Sequence, residues 1–182
     1  MKFKKTDLSD VYIIEPHTYE DNRGIFRKTY HEAMFKEKGI NICFGESFYT
    51  VSERNVIRGM HFQIPPRDYC KLVYVTEGVI LDVILDLRRN SPTYAKHMSI
   101  QLSSENAKQV YIPKGFAHGF AVLSNSATVT YLQTAMHSSE HDTGIRWDSF
   151  GVDWGIRNPI LSERDGNFLA LDAFQSPFVY GG

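Results

Sequence analysis

Tyr111-Ile112-Pro113-Lys114-Gly115-Phe116-Ala117-His118-Gly119-Phe120 reads as two apolar strands hinged on Pro113 and Gly115, with a histidine in the second. Some fifty residues earlier, Arg58-Gly59-Met60-His61-Phe62-Gln63 places another histidine in an apolar run. Glycine at position 59 lets the backbone approach a ligand or a neighbouring strand closely. Two histidines on strand-like segments, flanked by Arg58 and Lys71, mark the region where chemistry is expected.

Strand signals dominate outward from these two strings. Val11–Ile14 is a short β-branched run ending before Pro16. Lys71–Val75, a turn at Thr76-Glu77-Gly78 and Val79–Leu85 read as strand, turn and strand. His97–Leu102, Gln109–Ile112, His118–Leu123 and Ala127–Thr134 add four more strands. One helix is expected over Tyr30–Lys38, with Gly39 as its C′ residue. No repeat or Pro/Ser-rich linker divides the chain, so residues 1–182 are expected to form one domain. Many short strands with little helix predict an all-β jelly-roll barrel carrying short peripheral helices. The spacing Pro113-x-Gly115-x-x-His118 resembles the entry into the second histidine strand of a cupin-type double-stranded barrel. In metal-binding cupins the first string reads His-x-His, because two imidazoles on one strand face reach one metal. Here Gln63 takes the second place, which points to acid–base chemistry without a metal.

Composition narrows the classes. Hydrophobic residues make up 42% and charged residues 23%, as in soluble globular proteins. A formal net charge of −1 gives no bulk electrostatic case for nucleic acid or an anionic membrane. Cys43 and Cys70 are too far apart for a CxxC motif and read as free thiols of a reducing cytoplasm. The first residues lack a signal-peptide core, and the most apolar run, Gly78–Leu87, is broken by Asp82 and Asp86 and is too short to span a bilayer. A cytoplasmic location is therefore expected. No dinucleotide-binding glycine string, P-loop, serine-hydrolase elbow or His-Glu-x-x-His string occurs. His137 and His141 are four apart, but Ser138-Ser139 and Gly144 argue against a metal-binding helix there.

Each candidate has a plain alternative. His61 read alone is a histidine satisfied in the core; Arg58, Lys71 and His118 on nearby strands favour a site. An imidazole titrating near pH ~6.5 suits general-base work. Period two on Ala127–Thr134 puts Ala127, Val129, Tyr131 and Gln133 on one face. Tyr131 is then either a core tyrosine with its hydroxyl tied off or a general acid facing a polar barrel mouth. Asp165, before Gly166, reads by itself as a turn residue. Asp148 and Asp153 read as turn or surface residues.

Taken together, the strings resemble the dTDP-4-dehydrorhamnose 3,5-epimerase family from about Val11 to Asp165. They include Asp21-Asn22-Arg23-Gly24-Ile25-Phe26, Ile57–Gln63, Lys71-Leu72-Val73, Ile112–Phe120, Gly144-Ile145-Arg146-Trp147 and Pro159–Asp165. The resemblance implies a jelly-roll homodimer without metal or organic cofactor, acting on a nucleotide-diphosphate-linked 4-keto-6-deoxy sugar. It makes His61 the general base, Asp165 its orienting partner, Tyr131 the general acid and Lys71 the cation near the C4 oxygen. Arg58, Gln63, His118, His137, Asp142 and Arg164 fall at substrate-binding positions. Arg23, Phe26 and Lys28 lie on an N-terminal arm, within about residues 1–45, that would reach the neighbour's site; residues 166–182 form a tail.

The chain departs from the family at the nucleotide end. Lys28 stands where a Glu is usual, His137 where a tyrosine is usual, and Glu46 and Phe48 replace a Gln and an Asn. A carboxylate accepts the N3–H of thymine and an ammonium does not, so cytidine- and guanosine-linked hexoses or heptoses are alternative substrates. Three other readings differ in their products or requirements. They are a single-centre epimerase or 3,4-ketoisomerase, a metal cupin, and a non-catalytic sugar-nucleotide-binding jelly roll.

Overall fold

In chain order, residues 1–40 and 42–181, those described by this computed structural model, begin with four short strands: β1 (Lys2–Lys5), β2 (Tyr12–Glu15), β3 (His17–Asp21) and β4 (Gly24–Lys28). The helix α1 (Glu32–Lys36) follows, then β5 (Glu46–Glu53), β6 (Ile57–Gln63), β7 (Lys71–Glu77) and β8 (Val79–Asp86). After these come β9 (His97–Ser103), β10 (Gln109–Ile112), β11 (Phe116–Val122), β12 (Ser126–Gln133) and β13 (Asp142–Gly144). A one-turn helix α2 (Glu163–Gly166) and a 3-10 turn over Leu171–Ala173 close the chain. The expected arm and tail each include one residue, 41 and 182, outside the described set.

The strands make a jelly roll. A six-stranded sheet runs β1-β2-β10-β7-β12-β5, and a five-stranded sheet runs β13-β6-β11-β8-β9; β3 and β4 pair only with each other. Side chains alternate across each strand, so every second residue enters the space between the sheets. On β12 the buried positions are Ala127, Val129, Tyr131 and Gln133, the face that period two assigned. Val73 and Val75 of β7 meet Ile80 and Ile84 of β8 and Phe116, Phe120 and Val122 of β11 across that space. Each such side chain, fully buried, contributes roughly 1.5–3 kcal/mol.

β8 is buried on both faces, because the C-terminal third of the chain covers the outer side of its sheet. Trp154 and Phe178 pack there on Met60, Val83, Leu85 and Ala117. On the other sheet, fully buried Phe35 of α1 covers Ile14, Leu72 and Tyr111. The helix is shorter than the Tyr30–Lys38 span expected from its composition. Tyr30 leaves it to pack on Phe35 and Phe44, and Gly39 turns the chain away with φ +76°. The expected loop at Asp165 is instead the α2 turn, capped by the Ser162 hydroxyl, which accepts the Asp165 N–H at 3.1 Å.

One irregularity positions the site. β6 and β11 pair His61 with His118 and Arg58 with Phe120, so Gly59 and Met60 together face Gly119 alone. This is a β-bulge. It turns Arg58 and His61, three residues apart, toward the same interior, while Ile57, Met60 and Phe62 face the outer cluster. The bulge needs glycine. Gly59 has φ +135°, and a Cβ there would sit 2.5 Å from the Gly119 Cα. We therefore expect Gly59→Ala to destabilise the fold by about 2–4 kcal/mol in denaturant titration. Gly166→Ala, where a Cβ meets nothing within 4 Å, should change little.

Candidate active site

At one end of the barrel the inward rows turn polar and line a cavity of about 340 Å³. The five-stranded sheet supplies Arg58 and His61 from β6 and His118 and Phe120 from β11. The six-stranded sheet supplies Lys71 from β7, Tyr131 and Gln133 from β12, and Glu46, Phe48 and Thr50 from β5.

His61 and Asp165 form a dyad. The imidazole Nε2 lies 2.8 Å from Asp165 Oδ1, and Asp165 Oδ2 accepts the Gly59 N–H at 3.0 Å. Burial alone would raise the Asp165 carboxyl; the hydrogen bond and charge of His61, with Gly59 and Ser162, outweigh it and hold the pKa below the usual range. An ionised carboxylate accepts only, so Nε2 carries the proton and Nδ1 is the ring nitrogen available to a ligand. His61 is the accessible member of the dyad, its side chain 30% exposed against 5% for Asp165.

A second imidazole–carboxylate pair lies deeper. His118 Nε2 is 2.7 Å from Asp82 Oδ2, and both residues are buried. Burial lowers the His118 pKa despite the opposing charge of Asp82, so this imidazole is neutral at pH 7. Asp82 Oδ1 is buried without a hydrogen-bond partner. The Lys71 ammonium, also buried, donates to the His61 carbonyl at 3.1 Å. Burial pulls its pKa from 10.5 down to about 8, and the charges of Asp142 and Asp82 limit the fall.

Tyr131 stands on the opposite wall from the dyad. Its ring stacks on Phe48, with centroids 4.8 Å apart and planes 17° from parallel, and meets His118 edge-on at 6.0 Å. Burial, then the charge of Asp82, pushes the phenol well above its usual pKa, so it holds its proton. At the cavity rim Arg164 pairs with Asp142 of β13 at 2.6 Å, and the Arg58 Nε donates to Ser52 at 2.8 Å. Glu46 accepts the His137 backbone N–H at 2.8 Å.

The expected residues do not all gather here. Gln63 is buried and spans two loops: its amide donates to the Arg67 carbonyl at 2.6 Å and its oxygen accepts the Ser138 N–H at 2.6 Å. It fixes the loop that carries His137 and does not line the cavity. Arg23, Phe26 and Lys28 sit on the β3–β4 hairpin, away from this protomer's cavity. Arg23 is paired with Asp21 at 2.6 Å, and Phe26, Ile25 and Tyr19 are exposed. Asp82, Thr50, Tyr69 and Phe120 were not anticipated. Asp82 had a signal: an acid inside an apolar strand, on the inward row of Ile80 and Ile84, requires a partner.

A larger cleft of about 690 Å³ lies beside Arg88 and the tail residues Phe178–Gly181. Its guanidinium is committed to Asp86 and Asp10, at 2.9 Å each, which makes it a structural tie. Among the described residues no three His, Cys, Asp or Glu side chains converge to hold a metal. No described helix is long and apolar enough to cross a membrane.

The geometry has close counterparts. The sequence profile of the dTDP-4-dehydrorhamnose 3,5-epimerase family matches residues 5–173. A dTDP-4-dehydrorhamnose 3,5-epimerase from Methanothermobacter thermautotrophicus is 43% identical over 175 residues, covering 93% of this chain and 94% of that protein. The crystal structure of a dTDP-6-deoxy-D-glucose-3,5-epimerase from Legionella pneumophila in complex with dTDP-4-keto-L-rhamnose superposes with a TM-score of 0.94. It is 33% identical and covers 100% of this chain and 99% of its own. The Bacillus anthracis dTDP-4-dehydrorhamnose 3,5-epimerase with TDP and PPi bound gives a TM-score of 0.91 at 36% identity, covering 93% of this chain and 99% of its own. With a profile match over almost all its length and relatives this similar end to end, the chain belongs to the dTDP-4-dehydrorhamnose 3,5-epimerase family.

Proposed function

We propose that this enzyme inverts C3 and C5 of dTDP-4-dehydro-6-deoxyglucose, giving dTDP-4-dehydro-L-rhamnose, by proton abstraction next to the C4 ketone. The observation that carries the reading is one cavity holding an oriented imidazole on one wall, a buried phenol on the other and a buried ammonium. His61 Nδ1 takes the proton from the carbon beside the ketone, and the C–H electron pair becomes an enolate. Asp165 stabilises the imidazolium that forms. Lys71 donates to the C4 oxygen, where negative charge develops. The Tyr131 O–H then breaks as its proton bonds the carbon from the other face, inverting the centre. The phenolate regains a proton from solvent and His61 releases one, so nothing is oxidised or reduced.

The rim cations Arg58 and Arg164 suit the diphosphate. The β3–β4 hairpin completes the site from a second copy: its exposed Phe26, Ile25 and Tyr19 need cover, and Arg23 and Lys28 then serve the partner's substrate. Thymidine is the nucleotide, supported by the ligands of the related Legionella and Bacillus structures. Two unpaired cysteines are consistent with work in the cytoplasm.

Three outcomes are expected. With dTDP-4-dehydro-6-deoxyglucose as substrate, His61→Ala should lose at least about 10²-fold in turnover. Tyr131→Phe should still exchange substrate protons with solvent but form little inverted sugar; full epimerisation by Tyr131→Phe would remove the acid from this scheme. Light scattering should give a dimer mass, and a fully active monomer would remove the hairpin from the site.

Lys71 gives a pH signature. Its ammonium is the working form, so kcat/KM should fall as pH rises through about 8. Because burial depresses its pKa, the charged lysine destabilises the fold below about pH 8, and that cost fades between about 8 and 10.5. Lys71→Met should therefore abolish the alkaline limb and most activity while stabilising the protein by about 1–3 kcal/mol at neutral pH.

A further inference from the structure

We infer that Phe48 is a positioning residue for Tyr131: its ring fixes the phenol and shields it from water, so that the tyrosine and not solvent reprotonates the intermediate. The inference rests on Tyr131 as the acid.

Position and packing carry it. Phe48 lies on β5, directly opposite Tyr131 of β12, so both side chains point to the same side of the sheet. β5 ends the sheet order, and among the described residues no strand pairs with its outer side. At the open edge, the neighbour on Tyr131's β5 side is therefore the Phe48 ring, which is 38% exposed while Tyr131 is 6% exposed. The two rings lie nearly parallel at 4.8 Å, and the edge-on His118 holds Tyr131 from another direction. Two aromatic contacts leave the phenol little freedom about its ring axis or Cα–Cβ bond.

The chemistry gives the shield a purpose. After His61 takes the proton, the enolate carbon accepts one from whichever donor reaches it. A proton from Tyr131 arrives on the face opposite His61 and inverts the centre. Water beside the phenol delivers to either face, and delivery to the original face yields labelled but uninverted sugar. A wetter phenol also ionises more easily, because burial is what raises it.

The test compares Phe48→Ala, Phe48→Leu and Phe48→Tyr in D₂O with dTDP-4-dehydro-6-deoxyglucose, reading by NMR the ratio of deuterium exchange without inversion to inversion. Phe48→Ala should raise that ratio about threefold to tenfold, the range a stacked aromatic contact supplies. Phe48→Leu should fall between Phe48→Ala and the native enzyme. The Tyr131 phenol, followed by its assigned carbon-13 Cζ signal in NMR of tyrosine-labelled enzyme, should begin to ionise at lower pH in Phe48→Ala. Phe48→Tyr should restore both values. An unchanged ratio and titration in Phe48→Ala, or a uniform loss of rate with both unchanged, overturns the inference. Tyr131→Phe run alongside separates the failures. If it moves the ratio and Phe48→Ala does not, the shield alone is wrong; if neither moves it, the acid assignment itself is wrong.

Discussion

The Asp165 carboxylate, held between the Gly59 N–H and His61 Nε2, is the contact on which the site depends. It joins segments more than a hundred residues apart, and each end needs its own support. At one end the bulge at Gly59 aims His61 inward, which only a glycine facing Gly119 permits. At the other, the Ser162 cap starts α2, while Ile57 donates to the Ile160 carbonyl at 3.0 Å and draws the segment against β6. The C-terminal third thus does two jobs with one path. It covers the apolar outer face of the five-stranded sheet and delivers a carboxylate through to the inner one.

The interior beyond the dyad runs against stability. Lys71, Asp82 and His118 lie among Val73, Ile84 and Phe120, where apolar side chains of similar volume would pack at less cost. Burial depresses both Lys71 and His118, leaving one near its working pH and the other neutral. The same burial keeps Tyr131 protonated. One environment therefore separates a neutral imidazole, a cation and a protonated phenol in their titration, the condition acid–base chemistry needs.

Much of this was legible because strands write their faces into the sequence. Period two assigned the inward row of β12, and the two histidine strings lie opposite each other on β6 and β11. What was missed follows from effects that alternation does not encode. The bulge puts Arg58 and His61 on one side although their spacing predicts opposite sides. Gln63 stands on a histidine-like position yet is consumed by backbone partners of the 134–138 loop. Asp165 looked like a turn residue because its partner is far away in sequence.

The most direct test of the account is the tautomer of His61. Nitrogen-15 NMR of selectively labelled enzyme, at pH 7.5, reads which ring nitrogen carries the proton. The arrangement at Asp165 predicts the Nε2–H form with an unprotonated Nδ1, and a loss of that preference in Asp165→Asn. An Nδ1–H tautomer in the native enzyme would contradict it, because the nitrogen facing the substrate would then have no lone pair to take a proton.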